Sequence, residues 1–158
     1  RALRHPFRAG RSSHVKPLSS LDLTRWLNPW PIRLPPGRWR LRVVPLLACG
    51  RYAALWLLDE EKRTRRSAAW WAAKAARGQM DTALGDGAGH QHYVHMLARY
   101  HVPVMPSLTL IVKRAKGRTV VLDGNNHLIA ALMVRRHRYA RKRCPFRWVG
   151  VLEWRGKR

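Results

Sequence analysis

The sequence predicts a mixed α+β fold, a small mixed sheet with helices and one strand–turn–helix unit. Three observations carry this. Some short stretches alternate apolar and charged residues, as half-buried strands do. Others place apolar residues at helical spacing. Pro and Gly punctuate the boundaries between them. With 158 residues and 46% hydrophobic content the chain can bury one core, which argues against a wholly disordered polycation.

Residues 1–20 are rich in Arg, Ser and Pro without periodicity and read as a flexible basic arm, leaving 21–158 as a single domain. Residues 21–34 hold Trp26, Trp30 and Ile32 among prolines and are expected to pack as an irregular layer. Pro35, Pro36 and Gly37 mark a turn. Beyond it Trp39, Leu41 and Val43 alternate with Arg38, Arg40 and Arg42, the period of a half-buried strand with a basic outer face. Residues 52–58 admit strand or helix; the preferred reading is a strand paired with the first across Cys49, Gly50 and Arg51. Asp59, Glu60 and Glu61 look like a helix start, with acidic residues where the macrodipole favours them. That helix should run through Ala76, with Gly78 as its C′ residue. Within it Trp70 and Trp71 are expected as packing anchors rather than a base-stacking platform. Residues 79–89 read as a loop, and 90–100 as a helix carrying Tyr93, Met96, Leu97 and Tyr100 on one face.

Pro103 and Pro106 end that helix and introduce a strand over 108–113. Ala115, Lys116 and Gly117 turn it into a second strand, 119–122. Asp123, Gly124 and Asn125 then turn sharply into a helix whose Leu128, Ile129, Leu132 and Met133 share a face. A basic run follows, and a last strand over 146–154 places Phe146, Trp148, Leu152 and Trp154 on one side.

Charge narrows the partners. Thirty-two Lys and Arg against eight Asp and Glu leave +24, and self-repulsion at that level calls for a polyanion such as nucleic acid. The alternative account is a GC-rich coding sequence that inflates Arg without any partner. Cys49 and Cys144 stand far apart in no metal-binding pattern, which fits a reducing, cytoplasmic setting, with one structural disulfide left open. The opening RALRHPFRAGRSSH has no apolar stretch of a secretory signal, and its first residue, Arg, reads as a processed or truncated start. No apolar run reaches membrane-spanning length, so no membrane partner is expected.

The segment VVLDGNNHLIAAL, residues 120–132, carries the chemistry. A strand entering a helix through Asp123, Gly124 and Asn125 gathers backbone N–H groups at the positive end of the helix dipole, and Gly124 permits the tight turn and close approach of an anion. The competing account is a helix simply N-capped by Asn125 or Asn126. Residues 92–154, with this segment at their centre, resemble the ParB/sulfiredoxin-like family: helix, proline-marked strand, turn, second strand, a DG-[HN]-H-R-L-x-A-A type signature, then a terminal strand. Asp123 and Gly124 match the opening of the signature, Asn125 an allowed variant, and Leu128, Ala130 and Ala131 its helical part. Asn126 and His127 stand where the family usually has His and Arg.

The resemblance implies a nucleotide site over Asp123, Gly124, Asn125, Asn126 and His127, taking ATP or CTP with Mg²⁺. NTPase, kinase or nuclease activity would make Asp123 and His127 the catalytic candidates, with Asp123 as metal or base residue and His127 against phosphate. The sulfiredoxin-type cysteine is missing, which argues against reductase chemistry among the implied activities. Arg135, Arg136, Arg138, Arg141, Lys142 and Arg143 form the densest basic run and are expected to contact a nucleic-acid backbone, without base readout. Asp81, Asp86, His90, His92 and His95 match no ligand spacing, so loop caps and surface histidines are preferred to a metal site. The glycines of GDGAGH have the wrong spacing for a P-loop, and Lys113 and Arg114 stand where a ββα-metal nuclease needs His. The expected function is a nucleotide-binding domain that associates with nucleic acid. The alternatives are a non-catalytic basic DNA- or RNA-binding protein that has lost nucleotide use, and a basic structural protein in a larger assembly.

Overall fold

The computed structural model describes residues 37–58, 65–85 and 89–156. The expected arm over 1–20, the layer over 21–34, the acidic helix start at residues 59–61 and Asp86 lie outside the described residues.

Alternation makes the strands. β1 (Trp39–Pro45), β2 (Ala53–Leu58), β3 (Arg65–Ser67), β4 (Thr109–Ala115), β5 (Arg118–Asp123) and β6 (Trp148–Trp154) form one sheet in the order β1-β6-β4-β5-β2-β3. Antiparallel pairs (β1 with β6, β4 with β5, β2 with β3) alternate with parallel ones (β6 with β4, β5 with β2), so the sheet is mixed. The fold is therefore α+β with a mixed sheet. Lys116 and Gly117, both at positive φ (51° and 76°), close the β4–β5 hairpin as a two-residue turn of the kind that matches strand twist.

The main core lies on one face, where α1 (Ala68–Ala76), α3 (His90–Met96) and α4 (Asn125–His137) cover Leu110, Val112, Val121, Val149 and Val151. Side chains of opposite parity, Trp39, Ile111, Leu122 and Leu152, form a smaller cluster on the other face. α4 is central: its seven consecutive residues from Leu128 to Val134 are all buried, a wider apolar surface than the single face expected. It packs against α1, and buried alanines on both helices permit close approach.

Several expectations are corrected. β1 pairs with β6 over its whole length, not with β2. The residues taken for a turn belong to a 3-10 helix, Leu46–Arg51, whose Leu46 and Cys49 are buried and which packs on α4. Its burial carries the chain away from β1, so that β2 starts beside β5. The Arg face of β1 is half-buried rather than outward: Arg42 Nε lies 3.5 Å from the carboxylate of Glu153, which is only 3% exposed.

The helix expected from Asp59 begins at Ala68, because Arg65–Ser67 pairs as a strand with β2 and the Ser67 hydroxyl accepts from the Trp70 N–H as N-cap. Its end agrees with expectation, at Gly78 with φ +71. Within the expected loop 79–89, Met80–Leu84 forms the short helix α2, anchored by fully buried Met80. Gln91 holds it: its Oε1 accepts from the Met80 N–H and its Nε2 donates to the Ala75 carbonyl.

The helix over 90–100 changes pitch. α3 passes into a π turn, Leu97–His101, and a 3-10 turn, Val102–Val104. Val94, Leu97, Ala98 and Val102 are the buried face, while Tyr93, Met96 and Tyr100 are exposed. Small Val94 and Ala98 let this face reach the core, and the bulky tyrosines do not fit there. Finally, Phe146 precedes β6 and joins the main core, on the opposite side of the sheet from Leu152.

Candidate functional site

β5 ends at Asp123, opposite Ile111 of β4, and Gly124 turns the chain into α4 at φ +92 and ψ 14. That backbone requires glycine. A Cβ here would stand 2.8 Å from Leu110 Cδ2 and 3.4 Å from the Thr109 carbonyl oxygen. The space freed by the missing side chain is thus filled by β4 rather than left open to a ligand. Gly124 packs the turn onto the sheet.

Gly124 is also the N-cap and has no side chain to offer, so the N–H groups of the first turn receive nothing from it. The first main-chain bond of α4 is the Leu128 N–H to the Gly124 carbonyl. The capping account from sequence is therefore not what holds the turn: Asn125 lies inside the helix, 6% exposed, and its Nδ2 donates to the Val121 carbonyl at 3.2 Å. Asn125 Oδ1, Asn126 Oδ1, Ser107 Oγ and Thr109 Oγ1 are buried and find no hydrogen-bonding partner among the described residues. Two of these atoms belong to hydroxyls and two are carbonyl acceptors. His127 is partly buried, and burial pushes its pKa down, helped by the neighbouring His101. The shift favours the uncharged ring, which weakens the charge a phosphate clamp needs.

The basic run lies at the other end of the helix. Arg135 and Arg136 close α4, and Arg138 caps it at φ +50, with its N–H donating to the Met133 carbonyl. Ala140 and Arg141 also have positive φ, so the chain coils back tightly through a short 3-10 turn, Tyr139–Arg141. Three residues anchor this coil. Tyr139 packs beside the core and hydrogen-bonds His95 through its hydroxyl, while Cys144 and Phe146 are buried. Between the anchors Arg136, Arg138, Arg141, Lys142 and Arg143 are exposed, and Arg135 is half-buried. None of these six forms an ion pair among the described residues. The sequence-predicted site thus divides between opposite ends of one helix.

Asp81 acts as a loop cap, its Oδ1 accepting from the Gln91 N–H at 3.0 Å. Among the described residues, no three His, Cys, Asp or Glu gather as a metal site. Both cysteines are free and buried, so the open question of a disulfide closes. Trp71 is fully buried as an anchor; Trp70, half-buried, has Arg66 at 4.9 Å and Lys74 at 5.3 Å from its ring.

Two features were missed in the sequence. One is buried Glu153, held by Arg42 and by Arg155 at 3.4 Å; a lone Glu inside a strongly apolar strand was its signal. The other is the inward face of α3 and its π turn, where Val94, Ala98 and Val102 join Leu97 in the core and leave Tyr93, Met96 and Tyr100 exposed. Its signal was a second set of apolar residues at helical spacing, Val94, Ala98 and Val102.

Among the described residues no helix is long and apolar enough to cross a membrane. No protein-family model, curated protein or solved structure matches the chain.

Proposed function

We propose that this chain binds nucleic acid through the phosphate backbone, with residues 135–143 as the principal contact. The observation that carries the reading is a run of six cations that form no ion pair among the described residues, set on an anchored coil in a chain of net charge +24. Anchoring matters because an ordered backbone loses less entropy on binding than a free basic tail would. Arginine predominates there, and its planar donors suit bidentate phosphate contact. The test is affinity against salt, measured by anisotropy with a labelled 20-base-pair duplex. Each phosphate contact contributes about −0.9 to the log–log slope, so engagement of most of the run gives roughly −4 to −5. A flat slope sinks the reading.

A second reading is favoured by the buried polar atoms of Ser107, Thr109, Asn125 and Asn126 that find no partner among the described residues: a nucleotide, ATP or CTP with Mg²⁺, bound around Asp123, Gly124, Asn125, Asn126 and His127. The Ser107 and Thr109 hydroxyls and the first-turn N–H groups suit phosphate oxygens, whereas the Asn125 and Asn126 carbonyls suit amino or hydroxyl groups. The β4–β5 hairpin feeding α4, and the return to β6 beside β4, support a ParB/sulfiredoxin-like reading of this region. Calorimetric titration with each nucleotide, with and without Mg²⁺, tests it; no heat at millimolar ligand overturns it.

A further inference from the structure

Large apolar side chains stand out to solvent at helical spacing along α3 and its π turn, Tyr93 44% exposed, Met96 38% and Tyr100 54%, with Val104 of the next 3-10 turn at 76%. Surfaces of this kind mark contact sites, and π turns recur at functional positions. What lies next to this one decides its occupant. The Arg99 guanidinium stands 5.6 Å from the centre of the Tyr100 ring, and its positive charge also acts on the Tyr139 hydroxyl. Tyr139 in turn is hydrogen-bonded to His95 of α3, with the two rings edge to face at 5.4 Å. The tyrosine face and the basic coil are therefore joined through Arg99, His95 and Tyr139. An apolar protein partner would have to bring carboxylates to meet this rim. A polynucleotide meets both halves with one chemistry, bases for the rings and phosphates for the guanidinium groups.

We infer that Tyr93 and Tyr100 form a stacking platform for unpaired bases, which makes single-stranded nucleic acid the favoured ligand of the adjoining basic coil. This rests on the proposed backbone binding and adds strand selectivity to it. Duplex bases are already stacked on one another, so only a single strand gains from the two rings. Arg99 contributes on both sides, as cation against the ring and as phosphate contact.

The test compares labelled dT20 and U20 with a 20-base-pair duplex on the full chain. A Tyr93→Leu/Tyr100→Leu variant keeps apolar bulk and removes both rings. It should weaken single-strand binding about 10- to 100-fold, leave duplex affinity within about twofold, and keep the salt slope. Tyr93→Phe/Tyr100→Phe should keep wild-type affinity, since stacking needs the ring and not the hydroxyl. Thermal unfolding of each variant verifies folding, and both side chains are exposed enough to change without loss. Unchanged single-strand affinity in the leucine variant, or an equal loss for single strand and duplex, overturns the platform while leaving backbone binding intact. A wild-type protein that binds none of the three probes overturns both.

Discussion

At its start α4 is buried, bears no charge in its first turn and rests on a glycine at φ +92; at its end it is exposed, cationic and turned by an arginine at φ +50. Both ends need a left-handed residue, but for different reasons. At the start the sheet crowds the turn, so the position demands the absence of a side chain. At the end solvent surrounds it, and a side chain is accommodated at a strain cost of roughly 1 kcal/mol. Stability is thus concentrated at one end and charge at the other. The helix dipole agrees with this split: Arg135, Arg136 and His137 sit at its negative end, and no acidic residue neutralises its positive end within the first turn.

If that separation holds, the two ends respond to different perturbations. The largest effect belongs to the basic coil: Arg141→Gln/Lys142→Gln/Arg143→Gln should flatten the salt slope for nucleic acid by about 3 and leave the unfolding midpoint nearly unchanged. Loss of stability in that variant would mean the coil supports the fold and would break the comparison. Next is Gly124→Ala. Strained backbone plus contact with Leu110 should lower stability by about 2 kcal/mol in chemical denaturation, with little change in salt-dependent binding of the folded protein.

A smaller effect is expected from pH. The folded-state pKa of His127 lies below its unfolded value of about 6.5. The unfolded chain therefore takes up the proton first, and stability falls as pH drops below about 6.5, levelling once the folded ring also protonates. His127→Gln should reduce that acid slope in urea titrations between pH 7.5 and 5. Exposed His137, also shifted down by burial and by Arg136 and Arg77, leaves a residual slope. The smallest change is Arg138→Gly, which relieves the left-handed strain and should stabilise by about 0.5–1 kcal/mol while lowering the salt slope by about 1. An Arg138→Gly protein that is less stable would show the guanidinium to be structural.

The unit from β4 through α4 was legible because each step has a local cause: alternation, a Lys-Gly turn, a glycine before a helix. Strand pairing at the edges was not, because β1 and β6 meet across more than a hundred residues and nothing local to Cys49, Gly50 and Arg51 announces that Leu46–Arg51 is buried. Periodicity put Tyr93, Met96, Leu97 and Tyr100 on one face over 90–100, and of these four only Leu97 is buried. Volume decided otherwise, since Val94 and Ala98 fit beneath the helix and tyrosines do not. At the candidate site, DGN announced the turn at Gly124, but whether a missing Cβ faces ligand or protein depends on Leu110, fourteen residues away.

The two thiols offer a view of how the molecule opens. Cys49 is fully enclosed and burial pushes its pKa up to about 12; Cys144 is buried just past the basic coil, its Sγ donating to the Phe146 carbonyl. Neither forms thiolate readily while the fold is closed, so each reacts with an alkylating reagent only when its own neighbourhood parts. Cys144 reports on release of the coil and Cys49 on separation of the 3-10 crossover from the core. Their labelling rates, taken with and without nucleic acid, convert a rigid arrangement into two separately timed motions.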